Sequence, residues 1–235
     1  MGYAGDMPPA VLPLTLFGHG EPTVASSWKV ERTMLDPCCW IDHAPGFMAG
    51  ADQLLLDLDA QMDWFRGRRL MYGTWHREPR RTATEARPGV ALPEVVGNIR
   101  SALSEHYALP FQGLFCNYYE TGQDSVAWHA DRIGRTEVDP LVAIVSLGGP
   151  RTFRLRPKPG RQGDSVSSHS VALASGDLLV MGGATQHHWE HAIPKTHQAS
   201  PRMSVTMRAS RRATPDGAMQ RPRWQPQDEL LGVRR

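Results

Sequence analysis

Two histidines, one aspartate and two arginines are the residues in this sequence best placed to do chemistry. His129 and Asp131 stand two apart in Ser125-Val126-Ala127-Trp128-His129-Ala130-Asp131, and His191 follows 60 residues after Asp131 in Trp189-Glu190-His191. Two imidazoles and a carboxylate in an H-x-D…H order are the donor set of a facial triad. Such a triad holds non-haem Fe(II) from one side and leaves the other positions open for a bidentate cosubstrate and O2. On a strand, residues i and i+2 point the same way, so His129 and Asp131 enter one cavity. Arg202 and Arg208 lie six apart, an even spacing that places both guanidiniums on one strand face. Guanidiniums in an iron pocket need an acid to answer them, and a dicarboxylate cosubstrate does so through forked hydrogen bonds. Two ordinary alternatives stay open here. His129 can be a satisfied core histidine, and the later strand can turn its arginines outward with Met203, Val205 and Met207 inward. His188-x-x-His191 has zinc-pair spacing only on a helix. Trp189–Pro194 carries no helical pattern, so His191 is the expected ligand and His188 is expected to face outward.

The elements that must position these groups follow from periodicity. From Leu114 onward the pattern has period two, with strands expected at Leu114–Glu120, Ser125–His129, Leu141–Leu147, Thr152–Arg156, Ser167–Leu173, Leu178–Met181, Trp189–Ile193 and Met203–Arg208. Gly- and Pro-containing turns separate them, and about eight short strands so spaced indicate a sandwich or jelly roll. Upstream, Trp28–Trp40 reads as one or two strands. Leu54, Leu55, Leu58, Met62 and Phe65 form a helical stripe, so Asp52–Phe65 is an expected helix capped by Asp52. A second helix opens at Pro93, buries Val96, Ile99 and Leu103, and stops before Pro110. Between the helices, Gly67–Pro88 has no clean period and reads as a long loop or loose hairpin.

Composition narrows the class. The chain has 235 residues, enough for one good-sized domain or at most two small ones, and a net charge of +2. No apolar run approaches the roughly 20 residues that span a bilayer, and Met1–Pro9 lacks the pattern of a signal peptide. Cys38 and Cys39 are adjacent and Cys116 makes the count odd, so a disulfide framework is not expected and a reducing cytoplasm is. Charge is uneven. Residues 66–87 hold seven arginines against Glu78 and Glu85, a local +5, and residues 210–235 carry six arginines against three acids, a local +3. Arginine suits bidentate phosphate contact, although an arginine-rich loop is also an ordinary solvated surface. The expected organisation is an extended segment over 1–27, one domain over 28–210 with a substrate-recognition lip at 66–90, and a flexible basic tail over 211–235.

The motifs together resemble a known family. Asn117-Tyr118-Tyr119 and Asp124–Asp131 look like the N-x-Y…D-S-V-x-W-H-x-D run of the AlkB family of Fe(II)/2-oxoglutarate dioxygenases. Ser146-Leu147-Gly148, Arg151-Thr152-Phe153, Gly183–Gln186 and Trp189-Glu190-His191 are similar too, and Arg202–Arg208 matches R-x-N-x-T-x-R with Ser204 in place of Asn. The likeness is specific from Cys116 to Arg208 and looser back to about Val30. It implies a mainly β fold with flanking helices (α+β), a double-stranded β-helix or jelly roll. It implies iron on His129, Asp131 and His191, and 2-oxoglutarate held by Asn117, Tyr119, Arg202, Ser204 and Arg208. It implies O2-dependent demethylation of alkylated DNA or RNA bases such as N1-methyladenine and N3-methylcytosine, with loss of formaldehyde, succinate and CO2, by a monomer. A target base must be flipped or single-stranded to be reached. Tyr72 and Trp75 are the candidate stacking aromatics, and Arg77 and Arg156 are candidate backbone contacts. Just past Asp131 stand Arg132 and Ile133, where the family carries an acidic pair. A 2-oxoglutarate oxygenase acting on a protein or small molecule, or an inactive nucleic-acid-binding jelly roll, are the alternatives.

Overall fold

The computed structural model describes residues 20–71, 73–132, 137–159 and 167–212. Tyr72, Ile133, residues 1–19 of the expected N-terminal segment and residues 213–235 of the expected tail lie outside them. All eight expected strands are present. In chain order the elements are β1 (Thr23–Val24), β2 (Glu31–Asp36), β3 (Cys39–Ala44), β4 (Met48–Ala49), α1 (Ala51–Gln61), β5 (Arg68–Met71), β6 (Thr74–Arg77), β7 (Arg81–Ala83) and α2 (Glu94–Tyr107). Then follow β8 (Gln112–Tyr119), β9 (Val126–His129), β10 (Glu137–Gly148), β11 (Arg151–Pro157), β12 (His169–Leu173), β13 (Leu178–Gly183), α3 (Thr185–His188), β14 (Trp189–Ile193) and β15 (Arg202–Arg212). A larger sheet runs in the order β2-β3-β13-β10-β15-β8-β7 and a smaller one in the order β12-β11-β14-β9. From β8 to β15 the chain passes back and forth between the two sheets, with only the β11–β12 hairpin staying within the smaller one, which is the jelly-roll arrangement the motif order implies.

Strand alternation gives the larger sheet two buried faces. On the outer face, Leu114, Cys116, Ala143, Val145, Leu147, Val180, Met203, Val205 and Met207 join a core completed by Leu54, Leu55 and Leu58 of α1 and Val96, Ile99 and Leu103 of α2. Each fully buried leucine there contributes roughly 1.5–3 kcal/mol from apolar transfer. On the inner face, Tyr119, Val142, Ile144, Leu179 and Met181 meet Phe153, Leu155, Leu173, Trp189 and Ile193 of the smaller sheet. The apolar stripe of α1 is therefore core, as its spacing predicts, with two corrections. The helix starts one residue after Gly50, whose left-handed φ of 65° supplies the N-cap, so Asp52 is in the first turn and accepts from Ser175 Oγ at 2.6 Å. Phe65 lies beyond the helix and is 57% exposed, because α1 ends at Gln61 and the chain turns away to bridge Thr82.

The sheet and α1 are locked together at one turn. Gly176 has φ +86°, and a Cβ there would lie 2.4 Å from the Met48 carbonyl oxygen. Its own N–H donates to Ser146 O at 2.7 Å and its carbonyl accepts from Met48 N at 3.0 Å, so the backbone cannot move aside without breaking both bonds. Gly176→Ala is expected to destabilise the chain by about 2–3 kcal/mol in a denaturant titration, combining backbone strain with lost hydrogen bonds. A change below about 0.5 kcal/mol would show that the turn is free to relax.

Candidate active site

The facial-triad residues meet at the mouth of the smaller sheet. His129 ends β9 and pairs in register with His191 of β14, which brings their ring centroids to 4.2 Å. Asp131 follows β9 by two residues, where its backbone N–H donates to Gln186 Oε1 at 3.0 Å. Asp131 Oδ1 lies 3.8 Å from His129 Nε2 and 3.7 Å from His191 Nε2, and one donor atom from each of the three residues falls within 4.8 Å of the others. His129 Nδ1 sits 2.9 Å from Ala127 O. A carbonyl only accepts, so Nδ1 carries the hydrogen and Nε2 is left as the donor atom to a metal. His191 is buried with its ring stacked on Phe153. Burial, reinforced by His129, pushes its pKa down to about 3, so the imidazole is neutral and able to coordinate at physiological pH. Burial drives the Asp131 carboxyl upward, but Arg208 and the two imidazoles outweigh it and hold the group at about 2. A neutral His191 imidazole beside an ionised Asp131 carboxylate is the protonation state that a divalent cation requires.

Neighbouring strands of the larger sheet carry the cosubstrate candidates. Tyr119 pairs with Arg202 and Asn117 with Ser204 across β8 and β15, so all four, with Arg208, share the inner face. The outward-arginine alternative is thereby excluded. Both faces of β15 are buried, with methionines against the helices and arginines between the sheets. Arg208 Nη2 donates to Asp131 Oδ2 at 3.0 Å, which ties the cosubstrate strand to the metal triad. Arg202 is 1% exposed, and its Nε reaches Ser146 Oγ at 3.2 Å. Its Nη1 and Nη2 are buried with no hydrogen-bond partner among the described residues, and the only ring within reach is Tyr119 at 5.2 Å. A buried, unanswered guanidinium fork is costly unless a carboxylate completes it, and 2-oxoglutarate carries one at its distal end. The residues present therefore fit both the metal and the cosubstrate.

Residues 66–87 supply a finding that spacing alone concealed. The segment folds as the β5–β6 hairpin followed by β7, which pairs with β8 at the edge of the larger sheet. Several of its arginines are held internally. Arg80 Nε donates to Asn117 Oδ1 at 2.7 Å, Arg81 pairs with Asp59 and Glu120 at 2.9 Å each, and Arg66 pairs with Glu120. Arg68 and Arg77 remain exposed, as does Trp75, at 65%. Thus Arg80 supports the cosubstrate candidate Asn117, while the outward-facing part of the segment is the hairpin. The local cue was only that Arg80 precedes a short β-prone run. Arg156 is part-exposed, forked onto Glu190 Oε2 at 3.0 and 2.8 Å, and lies 4.3 Å from the Trp128 ring. It is therefore a partly engaged cation at the edge of the triad's sheet.

The sequence profile of the 2OG-Fe(II) oxygenase superfamily matches residues 52–213, which contain the triad and both arginines. The chain is 31% identical over 211 residues to bovine (Bos taurus) alpha-ketoglutarate-dependent dioxygenase alkB homolog 3, covering 80% of this chain and 73% of that protein. This chain belongs to the AlkB family of 2OG-Fe(II) oxygenases. The AlkB assignment is supported by the Mus musculus alkB homolog 3, 33% identical over 182 residues and 70% of this chain, of whose length this chain spans 64%. The human DNA oxidative demethylase ALKBH2 is 29% identical over 211 residues, 81% of this chain and 80% of that protein. AlkB-family chemistry uses Fe(II), 2-oxoglutarate and O2, and the donor set and the unanswered Arg202 fork suit the first two. Among the described residues no helix is long and apolar enough to cross a membrane.

Proposed function

We propose that this AlkB-family chain is an Fe(II)/2-oxoglutarate dioxygenase that oxidatively demethylates alkylated nucleic-acid bases, such as N1-methyladenine and N3-methylcytosine. The Arg202 fork, buried and unanswered on the same inner face as the triad's arginine partner, is the observation that carries the cosubstrate part. The names of the relatives carry the substrate class. His129, Asp131 and His191 hold the iron. Arg202 receives the distal carboxylate of 2-oxoglutarate, with Asn117, Tyr119, Ser204 and Arg208 lining the same inner face around it. When bound, iron and 2-oxoglutarate reduce O2 and oxidise the N-methyl group, which leaves as formaldehyde while the cosubstrate becomes succinate and CO2. The protein's own part is orientation and exclusion of water. Phe153 backs the His191 ring, Gln186 fixes the Asp131 backbone and Asp131 keeps Arg208 pointed at the centre. No side-chain acid or base is needed for that reaction.

The working unit in this reading is the domain over 28–210, a cytoplasmic monomer with residues 66–90 as its lip. It acts on single-stranded DNA or RNA, or on a flipped base. Trp75 stacks on the strand, with Tyr72 beside it in sequence, while Arg77 and Arg156 meet phosphates. Incubating the chain with Fe(II), 2-oxoglutarate, ascorbate and a single-stranded oligonucleotide carrying N1-methyladenine is expected to remove the methyl mass and yield matching succinate. Absence of succinate under every condition defeats the enzyme reading. Succinate made without any dependence on nucleic acid transfers support to a protein or small-molecule substrate, the reading that Arg132 in place of a family acid favours.

The hairpin gives a quantitative check. Base stacking on an exposed aromatic is worth about 1–3 kcal/mol. Trp75→Ala is therefore expected to raise the Kd for a single-stranded oligonucleotide about tenfold while leaving 2-oxoglutarate binding unchanged. An unchanged oligonucleotide Kd removes Trp75 from the substrate surface.

A further inference from the structure

A second cluster of metal-ligating side chains lies apart from the triad. The β2–β3 turn runs Asp36-Pro37-Cys38-Cys39, and the last residue of α3 is His188. Donor atoms of Asp36, Cys38, Cys39 and His188 all lie within 4.8 Å of one another. The two sulfurs are 3.8 Å apart, and His188 Nδ1 is 3.5 Å from Cys38 Sγ and 3.6 Å from Cys39 Sγ. Zinc bonds of about 2.3 Å to sulfur and 2.0–2.1 Å to imidazole nitrogen set tetrahedral edges of about 3.8 Å between sulfurs and about 3.6 Å between sulfur and nitrogen. The three protein edges match that geometry. Asp36 Oδ1 is the fourth corner, drawn to 3.2 Å from Cys38 Sγ by a thiol hydrogen bond.

From this geometry we infer that Asp36, Cys38, Cys39 and His188 form a tetrahedral site for a thiophilic divalent cation, zinc above all. The donor chemistry separates it from the iron triad. Two thiolates with an imidazole select zinc, whereas the triad's nitrogen and oxygen donors with open positions suit Fe(II). The alternative fate of adjacent thiols is a disulfide. Neighbouring Cα atoms are only about 3.8 Å apart, below the usual disulfide range of about 4.4–6.8 Å, so a bond between Cys38 and Cys39 is strained. Cys38 is exposed, which gives an ion a route in, and Cys39 is buried, which gives it a dry wall. Binding releases both thiol protons to solvent.

Several contacts already orient the ligands. Asp36 Oδ2 accepts from Trp189 Nε1 at 2.8 Å, leaving Oδ1 toward the cluster, and Cys38 O accepts from Ala184 N at 2.9 Å. Supporting bonds of this kind fix ligand direction in metal sites. The site staples the edge hairpin of the larger sheet to α3. That short helix carries Gln186, which holds Asp131, and it leads directly into β14 and His191. The metal is structural, since all four corners are protein groups.

Cobalt(II) titration of the reduced full chain tests this by spectroscopy, with no reference to turnover. Wild type is expected to give an intense thiolate-to-cobalt charge-transfer band with tetrahedral d–d bands, saturating at one equivalent and bleached by one equivalent of Zn(II). His129→Ala, which disables the triad, is expected to keep these bands, so this site and the proposed activity fail separately. Cys38→Ser and Cys39→Ser are expected to lose them, His188→Ala to weaken affinity at least about tenfold, and Cys116→Ser to change nothing. A wild-type chain that stays without a thiolate band at stoichiometric cobalt overturns the site, whatever the variants do. Bands that survive in both cysteine variants overturn it equally.

Discussion

Arg202→Met is expected to make the ligand-free chain more stable and at the same time blind to 2-oxoglutarate. The side chain is buried, with two nitrogens lacking hydrogen-bond partners among the described residues, and burial presses its pKa below the usual arginine value. Methionine fills nearly the same length with no charge to desolvate. The gain is expected on the order of 1–3 kcal/mol, the cost of an unanswered buried polar group. The loss is the fork proposed to grip the distal carboxylate, a charge-assisted pair in a dry pocket. A Kd for 2-oxoglutarate raised by about two to three powers of ten corresponds to about 3–4 kcal/mol. Both signs appear in one experiment. Thermal unfolding with Mn(II) present, with and without 2-oxoglutarate, should show a large ligand-induced rise in Tm for wild type and almost none for the variant, whose starting Tm is higher. A variant that is destabilised, or that still gains Tm from 2-oxoglutarate, means that Arg202 is answered by the protein itself.

His129→Ala carries the largest expected loss of turnover. In the proposed reaction the oxidation by O2 takes place at the iron, so removing one of its three proposed ligands is expected to lower turnover by at least about a thousandfold, or about 4 kcal/mol in the barrier. The position is well suited to the test because its side chain is 41% exposed and ends a short strand, so little packing is lost. The melting temperature of the metal-free chain should move by no more than about 2 °C. His191→Ala would be a poorer choice, because that ring is buried against Phe153 and its loss leaves a cavity. Unchanged turnover in His129→Ala would falsify the ligand assignment, and a collapsed Tm with lost turnover would shift the residue's role to structure.

Period-two alternation was sufficient to read the strands and, through parity, the shared face of Arg202 and Arg208. It worked because β15 runs in unbroken register against β10 from Arg202 to Ala209, while its irregularity against β8 falls only between Thr206 and Arg208. Parity could not say which side of β15 was inner, since both of its faces are buried. The short helix α3 was illegible for another reason. Four residues are too few to show a period, and its fold depends on Thr185, whose hydroxyl donates to Gly182 O at 2.6 Å. That omission left His188 without a destination, although it turns toward the adjacent cysteines across 149 and 150 residues of chain. The arginines of residues 66–87 were readable as charge but not as contacts, because their partners Asp59, Asn117 and Glu120 are distant in sequence. The helix stripe overreached to Phe65 because hydrophobic spacing continues past the point where the chain leaves the core.

Strand β15 has almost no position that is free to drift. From Pro201 to Ser210 every residue is buried except Arg208, itself only 13% exposed at its side chain. Alternate residues answer to the helices on one side and to the chemistry on the other. A substitution that improves packing under α1 or α2 therefore shifts the backbone from which Arg202 and Arg208 project, so stability and cosubstrate affinity are selected together. The β5–β6 hairpin is the opposite case, exposed at Thr74–Arg77 and, among the described residues, a two-stranded sheet of its own. If the hairpin meets the substrate as proposed, descendants of this sequence can exchange one target for another by rewriting it while the oxidation machinery is inherited intact.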